Sequence, residues 1–490
     1  MSSSMKSARW YDFISINLFW LGLNIRNTAI GTFIMPYLVE QYAPSNLINT
    51  SLSAMRTAGL IIAMLVQPAA GLISDRSTSR FGRRRPFIFI GVLLDLVFLA
   101  AIGLSWTYWT LLVAVLLIQF SSNISHGPLQ ALIPDMVPED QRGRASAVKA
   151  IFELAPIILV GLTIAPLVGG KHLGWAIIVT GAGLLITALV TIFTVKEQPL
   201  KEKPDIPFWP PMLRVLGMLA GILLGAVAGL LGGGLIGGLV GLITWLLGGK
   251  SIALSVIVGV GGAIAMIIAV VVGVWVGSLS TIGNAARQRS SFIWWIVNRL
   301  LFLAAITSIQ GFALYFLMYA FKITPEQSSN LTGTLTFIIG IFILASAVLA
   351  GWLTDRIGHK LLVGISGILA AVGGSVLLGT IWLPNLSLIY LAGFILGLAT
   401  GLFMTSNWAM GTNLVPPAEA GRYLGISNLA GAGAGMIGAG IGGPMADYLN
   451  QSMPGLGYFA IFAAYVVLFV LSTVSLRFIR EQKLTAQATI

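Results

Sequence analysis

Four ionisable residues lie deep inside otherwise apolar stretches of this chain: Arg26, Asp95, Glu153 and Arg299. Placing such a group in hydrocarbon costs about 2.5–3.5 kcal/mol on insertion scales, so each requires a counter-charge or a water-filled cavity. Glu153, close to Pro156, is an acid in a low-dielectric setting and suits proton or cation coupling. Asp95 reads the same way. The structural alternative is that Arg26 is neutralised by Asp95 or Glu153, locking helices together. Amides and aromatics accompany these charges. Asn123, His126 and Gln130 recur at i, i+3 and i+7, one helix face. Gln310, Tyr315, Asn407 and Trp408 offer hydrogen bonds and flat apolar surface, which is what a polyol needs. His126 also reads as a hydrogen-bonding wall residue. Arg56, near the outer end of a span, is expected to snorkel to the interface and is given no role.

Other chemistry is excluded. No G-x-x-x-x-G-K-[ST] loop is present, so ATP-driven pumping is not expected. Three scattered histidines make no metal site, and without cysteine there is no disulfide or thiol chemistry. No nucleophile–base arrangement is legible. Neither an enzyme nor a cofactor is expected.

The elements that position these residues follow from composition. Of 490 residues, 57% are hydrophobic and 9% charged, against roughly 25% charged in a soluble domain. Lipid must be the solvent for much of the surface. Apolar stretches long enough to cross as helices fall near 12–38, 51–74, 87–105, 108–134, 146–169 and 174–195, and again near 292–320, 328–354, 361–381, 386–412, 423–446 and 456–476. The first is too long for a signal-peptide core and is read as retained. The net charge of +12 is gathered on one side of these spans, at Arg76, Arg80, Arg83, Arg142, Arg144, Lys196, Lys201, Lys203, Arg287, Arg289, Arg356, Lys360, Arg422 and Arg477 among others. Lys171, Lys322 and Lys250 fall on the other side. This positive-inside bias places both termini in the cytoplasm of a cell membrane and makes lipid, not nucleic acid, the partner of the basic face.

The two groups of six spans repeat. Gly71-Leu-Ile-Ser-Asp75-Arg76 returns as Gly351-Trp-Leu-Thr-Asp355-Arg356, and Pro134-Asp135-Met-Val137-Pro138 as Thr412-Asn413-Leu-Val415-Pro416. The expected organisation is a six-helix bundle at 1–195, a linker and Gly-rich membrane insertion at 196–290, a second bundle at 291–480 and a tail at 481–490. Lys-Glu-Lys-Pro and the Pro210-Pro211 pair argue against helix from Lys196 to Pro211. Glycines 217, 221, 225, 229, 233, 237 and 241 then recur every four residues. That spacing makes one close-approach helix face, suited to self-association or to a hairpin of two extra spans, and a break near Gly232-Gly233-Gly234 is expected.

Asp75 and the basic residues after it form a loop with mechanical potential. An acid ending a helix at the cytoplasmic face can pair with Arg76, Arg80 or a group on another element and latch a gate. Gly82 suits a tight turn, and Arg83 is grouped with it. Asp355 and Arg356 are the repeated gate. Arg84 and Arg85 are read as orienting the chain against anionic lipid.

The longer string Asp75-Arg76-Ser77-Thr78-Ser79-Arg80-Phe81-Gly82-Arg83-Arg84-Arg85-Pro86-Phe87-Ile88 resembles the corresponding loop of plant sucrose/proton symporters and their animal and bacterial relatives. These stand close to the glycoside–pentoside–hexuronide cation symporters of the major facilitator superfamily. Gly127-Pro128 with Asp135 is similar to the fourth helix of that group. The resemblance implies an all-α fold of two six-helix bundles rocking around a midplane site. Helices one, four, seven and ten would line that site, making Arg26, Asn123, His126, Gln130, Gln310, Tyr315, Asn407 and Trp408 the candidate solute-binding residues. It also implies a proton-coupling role for Asp135. The plant carriers have a base two positions after the Gly-Pro pair; this chain has Gln130, which separates it from sucrose itself. The expected activity is secondary transport of a sugar or glycoside with a proton or sodium ion. The alternatives are efflux of amphipathic compounds, or a non-transporting assembly factor using the glycine face.

Overall fold

The computed structural model describes residues 9–197, 199–200, 207–283, 289–415 and 420–480, apart from the side chains of 139, 355, 420–426, 428–430 and 432. The linker stretch 201–206, Arg287, Pro416, the side chains of Asp355 and Arg422, and the tail 481–490 lie outside the described residues. The first span runs as α1 (Trp10–Thr28) through one π-helical turn (Ala29–Ile34) into α2 (Met35–Tyr42). There follow α3 (Ile48–Ser74), α4 (Arg85–Gly103), α5 (Tyr108–Gln130), the short α6 (Leu132–Met136), α7 (Arg142–Gly169) and α8 (Leu173–Thr194). Next come α9 (Trp209–Leu246), α10 (Ala253–Ile282), α11 (Ser290–Phe321), α12 (Pro325–Ile357), α13 (His359–Gly379), α14 (Leu386–Asn413), α15 (Ala420–Ser452) and α16 (Leu456–Ser475). No strand occurs among the described residues.

Local chemistry explains several boundaries. Thr107, Thr324 and Asn385 cap α5, α12 and α14, their side-chain oxygens accepting from backbone N–H groups of the first turn. Twelve helices, α9 and α10 among them, are long and apolar enough to cross a membrane. The π-turned first span and the Gly-rich α15 are the two remaining long ones.

α1 packs on α7 and α8, and α4 on α5 and α8. In the later part α14 packs on α12 and α13, and α11 on α15 and α16. The two groups meet along two seams, α3 against α15 and α7 against α12. At the second seam Gly161 and Gly333 remove the side chains that would otherwise separate the helices.

Three expectations about the insertion need correction. Pro210 and Pro211 do not prevent helix; they occupy the first turn of α9, where a missing N–H leaves no bond unmade. α9 also shows no break at Gly232–Gly234, running unbroken for 38 residues. Finally, the glycine face is not free for a second copy. Gly221, Gly225, Gly229, Gly233, Gly237 and Gly241 are buried, and a Cβ on any of them would collide with α10. Close packing within the hairpin offsets the conformational cost of glycine in a helix. Leucines such as Leu224, Leu231, Leu235 and Leu239 face outward.

Candidate functional site

A cavity of about 290 Å³ lies between the two groups of helices. α1 and its π turn contribute Asn24, Thr28 and Thr32, and α7 contributes Glu153 and Ile157. From the other side come Ile306, Ile309 and Gln310 of α11, Thr332 and Thr336 of α12, and Leu396 of α14. The walls are mostly aliphatic, with one carboxylate, two amides and a set of threonine hydroxyls at separated points. Such a lining can hold a small solute by shape and orient it through few polar contacts.

Of the expected solute-binding residues, Gln310 lines this cavity and so does the coupling candidate Glu153. Glu153 is paired with Lys149 one turn earlier on α7, Nζ to Oε1 3.1 Å. Lys149 in turn lies 4.1 Å from the centre of the Trp20 ring, and Trp20 meets His126 edge to face at 5.2 Å. Gln130 stands 3.4 Å from the His126 ring nitrogen. A chain of polar and aromatic groups therefore leads from the cavity wall to the end of α5, with His126 and Gln130 along it rather than on the wall. Lys149 and Trp20 were missed in the sequence. The i, i+4 spacing of Lys149 and Glu153 in an apolar helix was the available signal.

Arg26 and Asp95 do not open on the cavity. Both are buried, and Arg26 bonds the Asp95 carboxylate at 3.1 Å while Ser121 donates to its other oxygen. Arg26 also donates to Asn27 at 2.7 Å. The pair joins α1, α4 and α5, which is the structural alternative for these residues. Asn123 is buried and bonds the Gln119 carbonyl of its own helix at 2.7 Å. Its helical face is shared with His126, but its amide is turned into the packing.

In the later half the polar residues form a separate cluster. Arg299 is buried and lies 5.0 Å over the Trp408 ring, with Asn407 Oδ1 at 3.4 Å. Asn407 donates to Asn298 at 2.7 Å, Asn298 to the Ser472 carbonyl at 2.7 Å, and Trp295 to the Asn407 carbonyl at 2.8 Å. Asn407 and Trp408 thus hold a buried cation beside them and do not line the cavity. Tyr315 is likewise committed: its hydroxyl donates to the Pro36 carbonyl at 2.8 Å, across the boundary between halves.

The basic loop is built around Arg84, which is 2% exposed. Its guanidinium bonds Asp75, reaches Asp135 at 2.9 Å and donates to Ser74 at 2.5 Å. Arg83 pairs with the other oxygen of Asp135. Arg84 is therefore no surface lipid anchor. Asp135 clamps the loop to the end of α6. Gly82, just before these two arginines, takes φ +99°, a conformation suited to glycine.

Glu197, also missed, completes the cluster from beyond α8. Its Oε2 accepts from the backbone N–H of Arg84 at 2.9 Å and of Arg85 at 3.2 Å, capping α4. A side chain at position 82 would collide with it. Burial pushes the Glu197 carboxyl above the usual carboxylate range, opposed by these two N–H bonds and by the Arg84 charge. Arg76 lies 5.3 Å over the Phe208 ring and Arg80 4.9 Å over Phe81. Asp75 pairs with Arg84. Arg356, in the repeated motif, lies 3.9 Å over Trp352.

At the opposite ends of the helices the halves are fastened together. Asp447 of α15 accepts from Asn49 Nδ2 at 2.7 Å, from Asn49 N at 3.2 Å and from Thr50 N at 2.7 Å, seated on the N-terminus of α3. Glu326 receives Tyr37 at 3.3 Å and Lys171 at 3.5 Å. These bonds join the two halves at this end.

Comparison with known proteins agrees with this architecture. The sequence model described as Major Facilitator Superfamily matches residues 18–293 and 298–489. A sucrose transport protein of Arabidopsis thaliana is 29% identical over 187 residues, 30% of this chain and 31% of that protein. The proton-associated sugar transporter A of Homo sapiens is 29% identical over 201 residues, 35% of this chain and 26% of that protein. These matches span less than a third of each relative. Among solved structures, a D-xylose-proton symporter superposes with a TM-score of 0.63 at 16% identity, covering 96% of this chain and 98% of that one. A POT family transporter superposes with a TM-score of 0.67 at 16% identity, covering 97% and 99%.

Proposed function

Because this chain belongs to the major facilitator superfamily, we propose that it is a secondary active transporter that carries a sugar or glycoside with a proton or sodium ion by alternating access. In this reading it spans the cell membrane fourteen times, with both termini cytoplasmic and two six-helix bundles (1–195 and 291–480) flanking the inserted hairpin. The observation that carries it is the cavity between the bundles, with the Glu153–Lys149 pair on one wall and Gln310 opposite. A carboxylate held by a neighbouring ammonium can exchange that partner for a proton or a metal cation, so its charge state can follow solute occupancy. Sugar transport by the relatives supports the solute class. Asp75, Arg83, Arg84 and Asp135 serve as the cytoplasmic gate of the first bundle, and Asp355 and Arg356 mark its counterpart in the second.

The test is uptake into proteoliposomes across a sugar panel, under an imposed proton or sodium gradient. Sugar should accumulate only with one gradient. Glu153→Gln should abolish accumulation while leaving counterflow exchange. If no sugar moves under either gradient, the reading fails.

A second reading, efflux of an amphipathic compound, is favoured by the aliphatic walls at Ile157, Ile306, Ile309 and Leu396. It predicts gradient-driven movement of lipophilic compounds in the same vesicles. The assembly-factor reading loses its docking face to α10.

A further inference from the structure

A snorkelling arginine near a helix end would carry its guanidinium to interfacial water. Arg56 does the opposite. It is partly buried, forms no ion pair among the described residues, and turns inward from α3 to donate to the Gly31 carbonyl in the π turn of the first span.

The need for that donor is written in the backbone. In the π turn, bonds run from residue i to i−5, and the Met35 N–H meets the Ile30 carbonyl. The next bond in the series would join residue 36 to Gly31. Residue 36 is proline and has no N–H. The Gly31 carbonyl is therefore orphaned by sequence, and Arg56 supplies the missing donor. An unmet carbonyl in a membrane interior is costly, which is reason enough for an inward-turned guanidinium there.

The same guanidinium reaches the other half of the molecule. It lies against Gly311 of α11, where a Cβ would overlap it. Arg56 thus touches the wide turn of the first span and α11 together, on the helix whose outer end is held by Asp447. We propose that Arg56 is the positioning residue of the outer gate: it seats the Pro36 break of the first span against α11, and the gate opens when the guanidinium leaves Gly31 and Gly311. The proposal rests on the alternating-access reading.

The absence of cysteine from the chain allows paired spin labels at Trp106→Cys and Leu383→Cys, both exposed in outer turns of the two halves. Inter-label distances in nanodiscs need no solute. Arg56→Ala should raise the ratio of open to closed outer distances about 2- to 10-fold, the effect of losing one hydrogen bond. Gly311→Ala, which expels the guanidinium, should do the same. Pro36→Ala returns an N–H to Gly31, so Arg56→Ala should have a smaller effect in that background. Unchanged distances in a monodisperse Arg56→Ala protein overturn the proposal. If that variant does not fold, unchanged distances in Gly311→Ala overturn it equally. Equal effects of Arg56→Ala with and without Pro36 overturn the surrogate-donor argument. Failed sugar uptake with shifted distances refutes the solute assignment and leaves the gate standing.

Discussion

In the first half of the molecule three inward-turned basic side chains meet carboxylates, Arg26 on Asp95, Arg84 on Asp75 and Asp135, and Lys149 on Glu153, while Arg56 serves a carbonyl instead. In the second half three bases rest on neutral groups. Arg299 lies on Trp408 and Asn407, Arg356 on Trp352, and Lys360 donates to the Ile479 carbonyl at 2.7 Å. The helical repeat is retained while its electrostatics has diverged. An ion pair inside lipid breaks at high cost when one partner changes. An indole face and amide oxygens hold a cation more weakly and tolerate its loss. The first half therefore holds these charges in ion pairs, and the second holds its cations against neutral groups.

The largest expected effect comes from Asp95→Ala, which strands the buried Arg26 charge. It should cost about 3–5 kcal/mol, read as lost thermal stability in detergent. Asn407→Ala, the matching change beside Arg299, should cost about 1–3 kcal/mol. Equal losses would erase the contrast between halves. Next, Arg26→Met and Arg299→Met separate the two sites by a different route. The first leaves Asp95 unpaired and should destabilise strongly. The second removes a cation with no carboxylate partner among the described residues and should leave stability within about 1.5 kcal/mol of the parent.

A smaller difference is expected at the cytoplasmic motifs. Arg84→Gln loses charged bonds to Asp75 and Asp135 and should cost about 1.5–3 kcal/mol. Lys360→Gln should cost about 0–1 kcal/mol, measured in the same melts. The smallest effect concerns pH. Glu197 has its folded pKa raised by burial, so its contribution is fully present below the unfolded carboxylate pKa. It is lost as pH rises through the raised value. The melting temperature of the parent should fall over that interval, and Glu197→Gln, which keeps an acceptor without the charge, should flatten it. An unchanged pH profile would remove Glu197 from the cluster's electrostatics.

Much of the helical framework could be read in advance, because several boundaries have a local cause. Thr107 and Asn385 cap the starts of α5 and α14, Arg85 and Pro86 open α4, and apolar runs between such points have the length of a bilayer. The site was less legible. The 123/126/130 row does share a face, yet Asn123 is packed, His126 meets Trp20 and Gln130 is exposed. Periodicity specifies a face without saying which helix covers it. The same gap hid the fate of the glycine row, whose spacing announced a close neighbour but could not name α10. Arg84 was grouped with Arg85 as a lipid-facing base because adjacent residues in a loop have no period, whereas it turns inward to Asp75 and Asp135. Glu197 was invisible for another reason: it lies 113 residues from the N–H groups it caps.

By itself the sequence determined that lipid is the solvent for much of the surface and where most of the long apolar segments fall. Those properties are sums of transfer energies along consecutive residues, so they are settled before any helix meets another. Only the tertiary structure decided which charge meets which, that α10 covers the glycines, and that Arg56 serves a carbonyl on the first span. Pairing energies in a low-dielectric interior depend on distances of a few ångströms between residues far apart in the chain, and no linear pattern carries that information.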